Sequence, residues 1–308
     1  MSFKQLLQVL PSLLGVILLG ISVWAINQEL QQYPPGEIWR SLLAIPVHNT
    51  LWALVLTVLN NFVVTGYDVL AVRLIHHPLA YRKTALAAIT STAIGNIVGF
   101  ALFSNGAIRY RLYSSWKFSA LEVTQIIGFC NLSFWLGLFA MAGISFLAEP
   151  ITIPSLLHLP FQTVRPIGGI FLSIIAIYLF WNSLSHQALR IGNWAVPHLS
   201  LKLCLAQIVI ASLDWLLSAA VLYVLLPTSF SYATFFGVYL LAQLAGLVSN
   251  VPGGLGVFET VILLLLRSPT PSTAVFSALL AYRVIYYLLP LGGAIGLLGG
   301  YEWRRSRF

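Results

Sequence analysis

The chain has 308 residues, 59% of them hydrophobic and only 8% charged, with a mean hydropathy of +0.89. A soluble domain carries roughly 25% charged residues, so too little polar material exists here to cover a water-facing surface, and a soluble globular protein is excluded. The net charge of +8 comes from Lys and Arg in short loops between apolar runs, the distribution of cytoplasmic membrane loops rather than of a nucleic-acid-binding face.

Apolar runs fall at 6–26, 48–75, 84–104, 120–147, 166–184, 202–226, 232–249, 254–266 and 272–299. A crossing helix takes about 20 such residues. The pattern predicts an all-α integral membrane protein, a polytopic helical bundle of seven to nine membrane segments forming one transmembrane domain over 1–308. The run 6–26 follows Lys4 and has no small-residue cleavage site, which predicts an uncleaved first helix. Run 254–266 is too short to cross: thirteen helical residues rise about 20 Å against a hydrocarbon core of about 30 Å.

Orientation follows from the Lys and Arg positions. If every run crosses, the loops with Arg109, Arg111, Lys117, Arg190 and Lys202 land outside, against the positive-inside rule. If run 84–104 and the residues after it instead dip in and return, twelve basic residues face the cytoplasm. Only Arg40, Arg165 and Arg267 then face out. The same scheme predicts two inverted repeats, over about 48–147 and 202–299. Asp68 lies 37 residues before Asn105, and Asp214 lies 36 before Asn250. Inverted repeats with broken helices recur in transporters, with the substrate site near the midplane.

An ionisable side chain inside the bilayer needs a partner or water, which singles out Asp68, Arg109, Arg111, Asp214, Glu259 and Arg283. In "SNGAIRYRLYS" (104–114), Arg109 and Arg111 stand two apart and diverge by about 200° on a helix. Both could anchor at the cytoplasmic surface, or one could face a cavity and meet a lipid phosphate. In "ALLAYRVIYYLLPL" (278–291), Arg283 is mid-helix with Tyr287 one turn on, and Glu259 is the acid nearest in sequence. A Glu259–Arg283 pair could simply hold the adjoining hairpin, or it could open to accept a charged headgroup. "SNVPGGLGVFE" (249–259) places Gly253, Gly254 and Gly256 just before a half-helix. Free N–H groups there make an anion site, tolerated at membrane depth only against protein or a water-filled cavity.

The remaining features read as structural. Gly292, Gly296 and Gly300 are spaced for close helix packing, while Cys130 and Cys204 read as buried thiols. His76 and His77 lie at a cytoplasmic helix end, and the other histidines show no metal spacing. No GxxxxGK[ST] loop, nucleophile elbow or HExxH stretch is present, so neither cofactor nor metal is expected and no enzymatic activity is expected of this chain.

The segments "GNIVGFALFSNGAIRYRLYS", "SNVPGGLGVFETVILLLL" and "ALLAYRVIYYLLPL" resemble the transmembrane family of the lysylphosphatidylglycerol synthase/flippase proteins, and most closely its stand-alone YbhN-like inner-membrane members. The resemblance implies a bacterial cytoplasmic-membrane protein that handles phospholipids, with Asp68, Arg109, Gly254, Gly256, Glu259 and Arg283 as functional positions. Full-length members of the family also carry a cytosolic aminoacyl-transferase domain. A chain ending at Phe308 has no room for one, so synthase activity is not expected. The resulting expectation is a lipid flippase or transporter with a charged groove. The alternative is a non-transporting scaffold or lipid-binding partner of a lipid-modifying enzyme. Membrane phospholipids, and a second copy or a lipid-synthesis enzyme, are the partners implied; nucleic acid is not.

Overall fold

The computed structural model describes residues 35–98, 101–149, 151, 163–184, 189–191, 194–196, 199–227, 230–249, 251–266 and 271–305. The expected first helix at 6–26 and Asn250 lie outside the described residues. A short helix α1 (Pro35–Leu43) precedes α2 (Val47–Ile75), which starts after Pro46 and stops where His76 turns left-handed at φ 58°. Helices α3 (Tyr81–Val98) and α4 (Ala101–Ser115) follow, and then α5 (Ala120–Ala148). Ser119 and Glu122 cap α5 reciprocally, satisfying two N–H groups at its start. After α6 (Arg165–Leu184), a three-residue antiparallel ribbon pairs Leu189–Ile191 with Trp194–Val196.

The second half runs through α7 (Leu201–Leu225), α8 (Tyr232–Ser249), a 3₁₀ turn Pro252–Gly254 and α9 (Val257–Leu265). Then come α10 (Ser272–Tyr282), a π-helical stretch Arg283–Leu288 and α11 (Leu289–Arg305). Among the described residues, six helical stretches are long and apolar enough to cross a membrane: α2, α5, α6, α7, α8 and the continuous Ser272–Trp303. Leu51, Trp52, Val55, Val58, Leu59 and Phe62 of α2 are exposed and apolar, as lipid-facing residues of such a bundle must be.

Two long helices form the spine. α2 and α7 make the largest helix–helix contact and run antiparallel: Asn60 meets Asp214 while Gly66 lies against Ile210. α5 packs on α7 so closely that a Cβ at Gly137 would collide with Ala211, the small-residue contact that lets membrane helices approach. Cys130 and Cys204 are free and buried, as expected.

Two helical hairpins pack on this spine. The first is α3–α4; Ser104-Asn105-Gly106, which the repeat scheme set against the Asn250 turn, lie within α4. Asn105 sits directly over Gly95, where any Cβ would overlap its carboxamide oxygen. The second is α8–α9, in which Gly246 lies against Gly254 and Phe258. The tips meet: a Cβ on Gly253 would lie 3.2 Å from the Asn96 carbonyl oxygen of α3. The close packing expected for Gly292, Gly296 and Gly300 is not found among the described residues. Nothing lies within 4 Å of a Cβ built on any of them, because α11 turns Ala294, Leu298 and Tyr301 inward instead.

Candidate functional site

The apolar runs bring their few polar residues together in three clusters. The first joins α2 to α4. Arg109 donates from Nε to Asp68 Oδ1 at 3.1 Å and from Nη2 to Asp68 Oδ2 at 2.9 Å. Tyr113, one turn beyond Arg109 on the same face, donates to Oδ1 at 2.9 Å. Asp68 is 0% and Arg109 4% exposed, so the pair is sealed. Such a two-pronged guanidinium–carboxylate contact is the geometry for which arginine is suited. Arg111 points the other way, with 75% of its side chain exposed and Glu302 of α11 at 2.5 Å. The divergence read from the two-residue spacing is therefore realised.

The second cluster clasps the α8–α9 hairpin. Gly253, Gly254 and Gly256 all have positive φ (58°, 61° and 81°), conformations that a side chain rarely adopts. The turn they make places the Gly253 carbonyl and the Gly256 N–H beside one charge pair. Arg283 donates from Nη1 to Gly253 O at 2.8 Å and from Nε to Glu259 Oε1 at 2.7 Å. Its Nη2 lies 2.6 Å from the same carboxylate oxygen, though not aligned as a hydrogen bond. Glu259 Oε2 accepts the Gly256 N–H at 2.8 Å, in the first turn of α9 where a helix end favours a negative charge. The Arg283 guanidinium also lies over the Tyr287 ring, 4.7 Å from its centre.

The third cluster surrounds Asp214 on α7. Asn60 Nδ2 donates to its Oδ1 at 2.8 Å and to its backbone carbonyl at 3.0 Å, and Tyr67 OH donates to Oδ2 at 2.9 Å. Tyr286 OH donates to Asn60 Oδ1 at 3.1 Å. No arginine or lysine approaches it among the described residues.

The sequence-selected residues thus separate. Asp68 and Arg109 share one cluster; Gly253, Gly256, Glu259, Arg283 and Tyr287 share another, with Gly254 in its turn; Asp214 stands in a third. Asn105 is in the α3–α4 hairpin with its carboxamide oxygen buried and without a hydrogen bond, and Arg111 is on the surface. Asn60 and Tyr67 escaped the sequence reading. Asn60 belongs to the pair Asn60-Asn61 within the apolar run of α2, and an amide inside a membrane segment is the signal that marks it.

An uncharacterized Synechocystis protein is 46% identical over 99% of this chain and 96% of its own length. Inner membrane protein YbhN of Escherichia coli is 32% identical over 83% of this chain and 80% of its own length. The chain belongs to the YbhN-like family. No family model matches it. This YbhN-like chain is also 26% identical, over 70% of its length, to the phosphatidylglycerol lysyltransferase of Staphylococcus haemolyticus, and the matched part is 24% of that relative. With its six apolar helices, the YbhN-like chain is a multi-pass inner-membrane protein related to proteins of lipid metabolism.

Proposed function

We propose that this protein carries phospholipid headgroups across the inner membrane, with the Glu259–Arg283 clasp as the gate they meet. The observation that carries this reading is the clasp itself. A charge pair at membrane depth binds a glycine turn whose backbone is bent out of helical form. Intramembrane charges are costly even when paired, and in transporters those beside broken helices line the path of polar cargo. The phosphatidylglycerol lysyltransferase relatives, whose printed name includes a phospholipid, add support.

In this reading α3–α4 and α8–α9 are re-entrant hairpins that enter from opposite faces. α9 rises only about 14 Å and cannot cross. With the run 6–26, six full crossings and two hairpins make eight segments and place most basic residues on the cytoplasmic side. The halves 48–147 and 202–299 are inverted repeats, each with an acidic helix, a hairpin and a closing helix. A headgroup phosphate displaces Glu259 from Arg283 and takes the exposed backbone donors of the turn, while the acyl chains stay in the bilayer. The chain is a transporter and not an enzyme, with phospholipid as its partner.

The test is lipid flipping in proteoliposomes. Glu259→Gln should reduce the rate at least about tenfold, an effect of about 1.4 kcal/mol, and Arg109→Ala should reduce it less. Unchanged rates in both would overturn the reading. Lipid that co-purifies with the chain, together with an absence of flipping, would instead support the non-transporting partner of a lipid-modifying enzyme.

A further inference from the structure

The three polar clusters each hold one carboxylate, and the three are not equivalent. Asp68 has Arg109, and Glu259 has Arg283. Asp214 has, among the described residues, an amide and a phenol. An arginine cannot give up its proton, so in this structure each of the first two acids faces a counter-charge that does not depend on pH. The third has no counter-charge of its own, and a bare charge inside a membrane protein is expensive.

From these contacts we propose that Asp214 is a proton-binding site, with a proton as the reversible counter-charge that the fold withholds. Of the elements packed on α7, α2 carries His48, Tyr67, Asp68 and Arg73, α5 carries Glu122 and Cys130, α6 carries Arg165 and Tyr178, α8 carries Tyr232 and Tyr239, and α10 carries Tyr282. Among the described residues, Tyr67 is the one of these that bonds the Asp214 carboxylate, Tyr286 stands behind Asn60, and no cation is paired with Asp214. Among the described residues, the charged groups that adjoin these partners, Asp68 next to Tyr67 and Arg283 three before Tyr286, already have partners in Arg109 and Glu259.

The hydrogen bonds also say what a proton would change. Both carboxylate oxygens now accept, Oδ1 from Asn60 and Oδ2 from Tyr67. A hydronium ion transfers its proton to one oxygen, its own O–H bond breaking to leave water. Placed on Oδ1, the proton makes that oxygen a donor, so the Asn60 amide must reverse. Asn60 Oδ1 then accepts from Asp214, and Nδ2 turns to the Tyr286 oxygen, which at present donates to Oδ1. Tyr286 lies in the same π-helical stretch that begins with Arg283, and such wide turns are frequent at functional sites. Proton binding at Asp214 therefore reaches the residue next to Tyr287 and three beyond the clasp arginine. That this proton serves transport rests on the function proposed above; that it binds does not.

The experiment is a pH titration of the purified full chain in lipid nanodiscs, followed by infrared difference spectroscopy of the protonated-carboxyl stretch. Wild type should show a carboxyl band that titrates between about pH 4 and 9. The band should disappear in Asp214→Asn and remain in Asp68→Asn and Glu259→Gln. Tyr67→Phe removes one donor to the ionised form, so it should move the midpoint to higher pH by about one unit. Should Asp214→Asn not fold, Tyr67→Phe decides alone. A wild type without a titrating band, a band that survives Asp214→Asn, or a midpoint unmoved by Tyr67→Phe overturns the proposal. Flipping measured on the same protein separates the two readings: a band without flipping removes only transport, and flipping without a band removes only the proton site.

Discussion

The Asp68–Arg109 and Glu259–Arg283 pairs use the same chemistry at the two hairpins, and they do different things with it. The first closes on side chains alone, Arg109 and Tyr113 onto Asp68, with side chains 5% and 0% exposed. The second is more open, at 14% and 10%, and reaches the backbone through Gly253 O and Gly256 N–H. One pair rivets α4 to α2; the other holds a glycine turn in shape. A buried ion pair therefore does not by itself identify a site. What distinguishes them is whether the pair holds helices together or holds a bent loop that something could displace.

The sharpest way to break this comparison is to remove one partner from each pair. Arg109→Leu leaves Asp68 buried and uncompensated, and should cost about 3–5 kcal/mol, read as a lower unfolding midpoint in detergent. Asp68→Asn added to Arg109→Leu should restore more than half of that loss, because the stranded charge is gone. Glu259→Gln should cost less stability than Arg109→Leu and more flipping; equal stability losses would erase the distinction between rivet and clasp.

Next in size is the first hairpin itself. Gly95→Ala sets a methyl onto the Asn105 carboxamide, and overpacking of this kind costs about 1–3 kcal/mol. Asn105→Ala should relieve it, so additive losses in the double variant would place Asn105 elsewhere. Tyr113→Phe removes one donor to Asp68 and should lower stability by about 1–2 kcal/mol, again by thermal unfolding. The smallest effect belongs to Arg111→Ala. Its exposed pair with Glu302 is the kind worth no more than about 1 kcal/mol, and both melting and flipping should stay near wild type.

Much of the second cluster could be read in the chain. Glu259 and Arg283 are the only charges in adjoining apolar runs, and neutrality demands that they meet. The glycines after Pro252 marked the turn because positive φ favours them. The first cluster was read less well. Asp68 and Arg109 were both selected, yet nothing in their spacing showed that they face each other across two helices. Asp214 was selected as an acid, but its neutral partners Asn60 and Tyr67 lie on α2, about 150 residues earlier in the chain. The repeat scheme set Asn105 against Asn250, and Asn and Gly are turn formers in isolation, whereas here Gly95 receives Asn105 and the helix continues.

Composition alone settled that the chain lives in a membrane, since its 8% of charged residues cannot clothe a water-facing surface. Length marked the run 254–266 as too short to cross, and the rarity of charge marked which side chains need a reason to be there. The tertiary structure decided which of those charges neutralise one another. Pairing depends on how α2, α4, α7 and the π-helical stretch pack, and that packing brings together residues far apart in sequence. It left Asp214 as the one acid of the three whose partners are neutral.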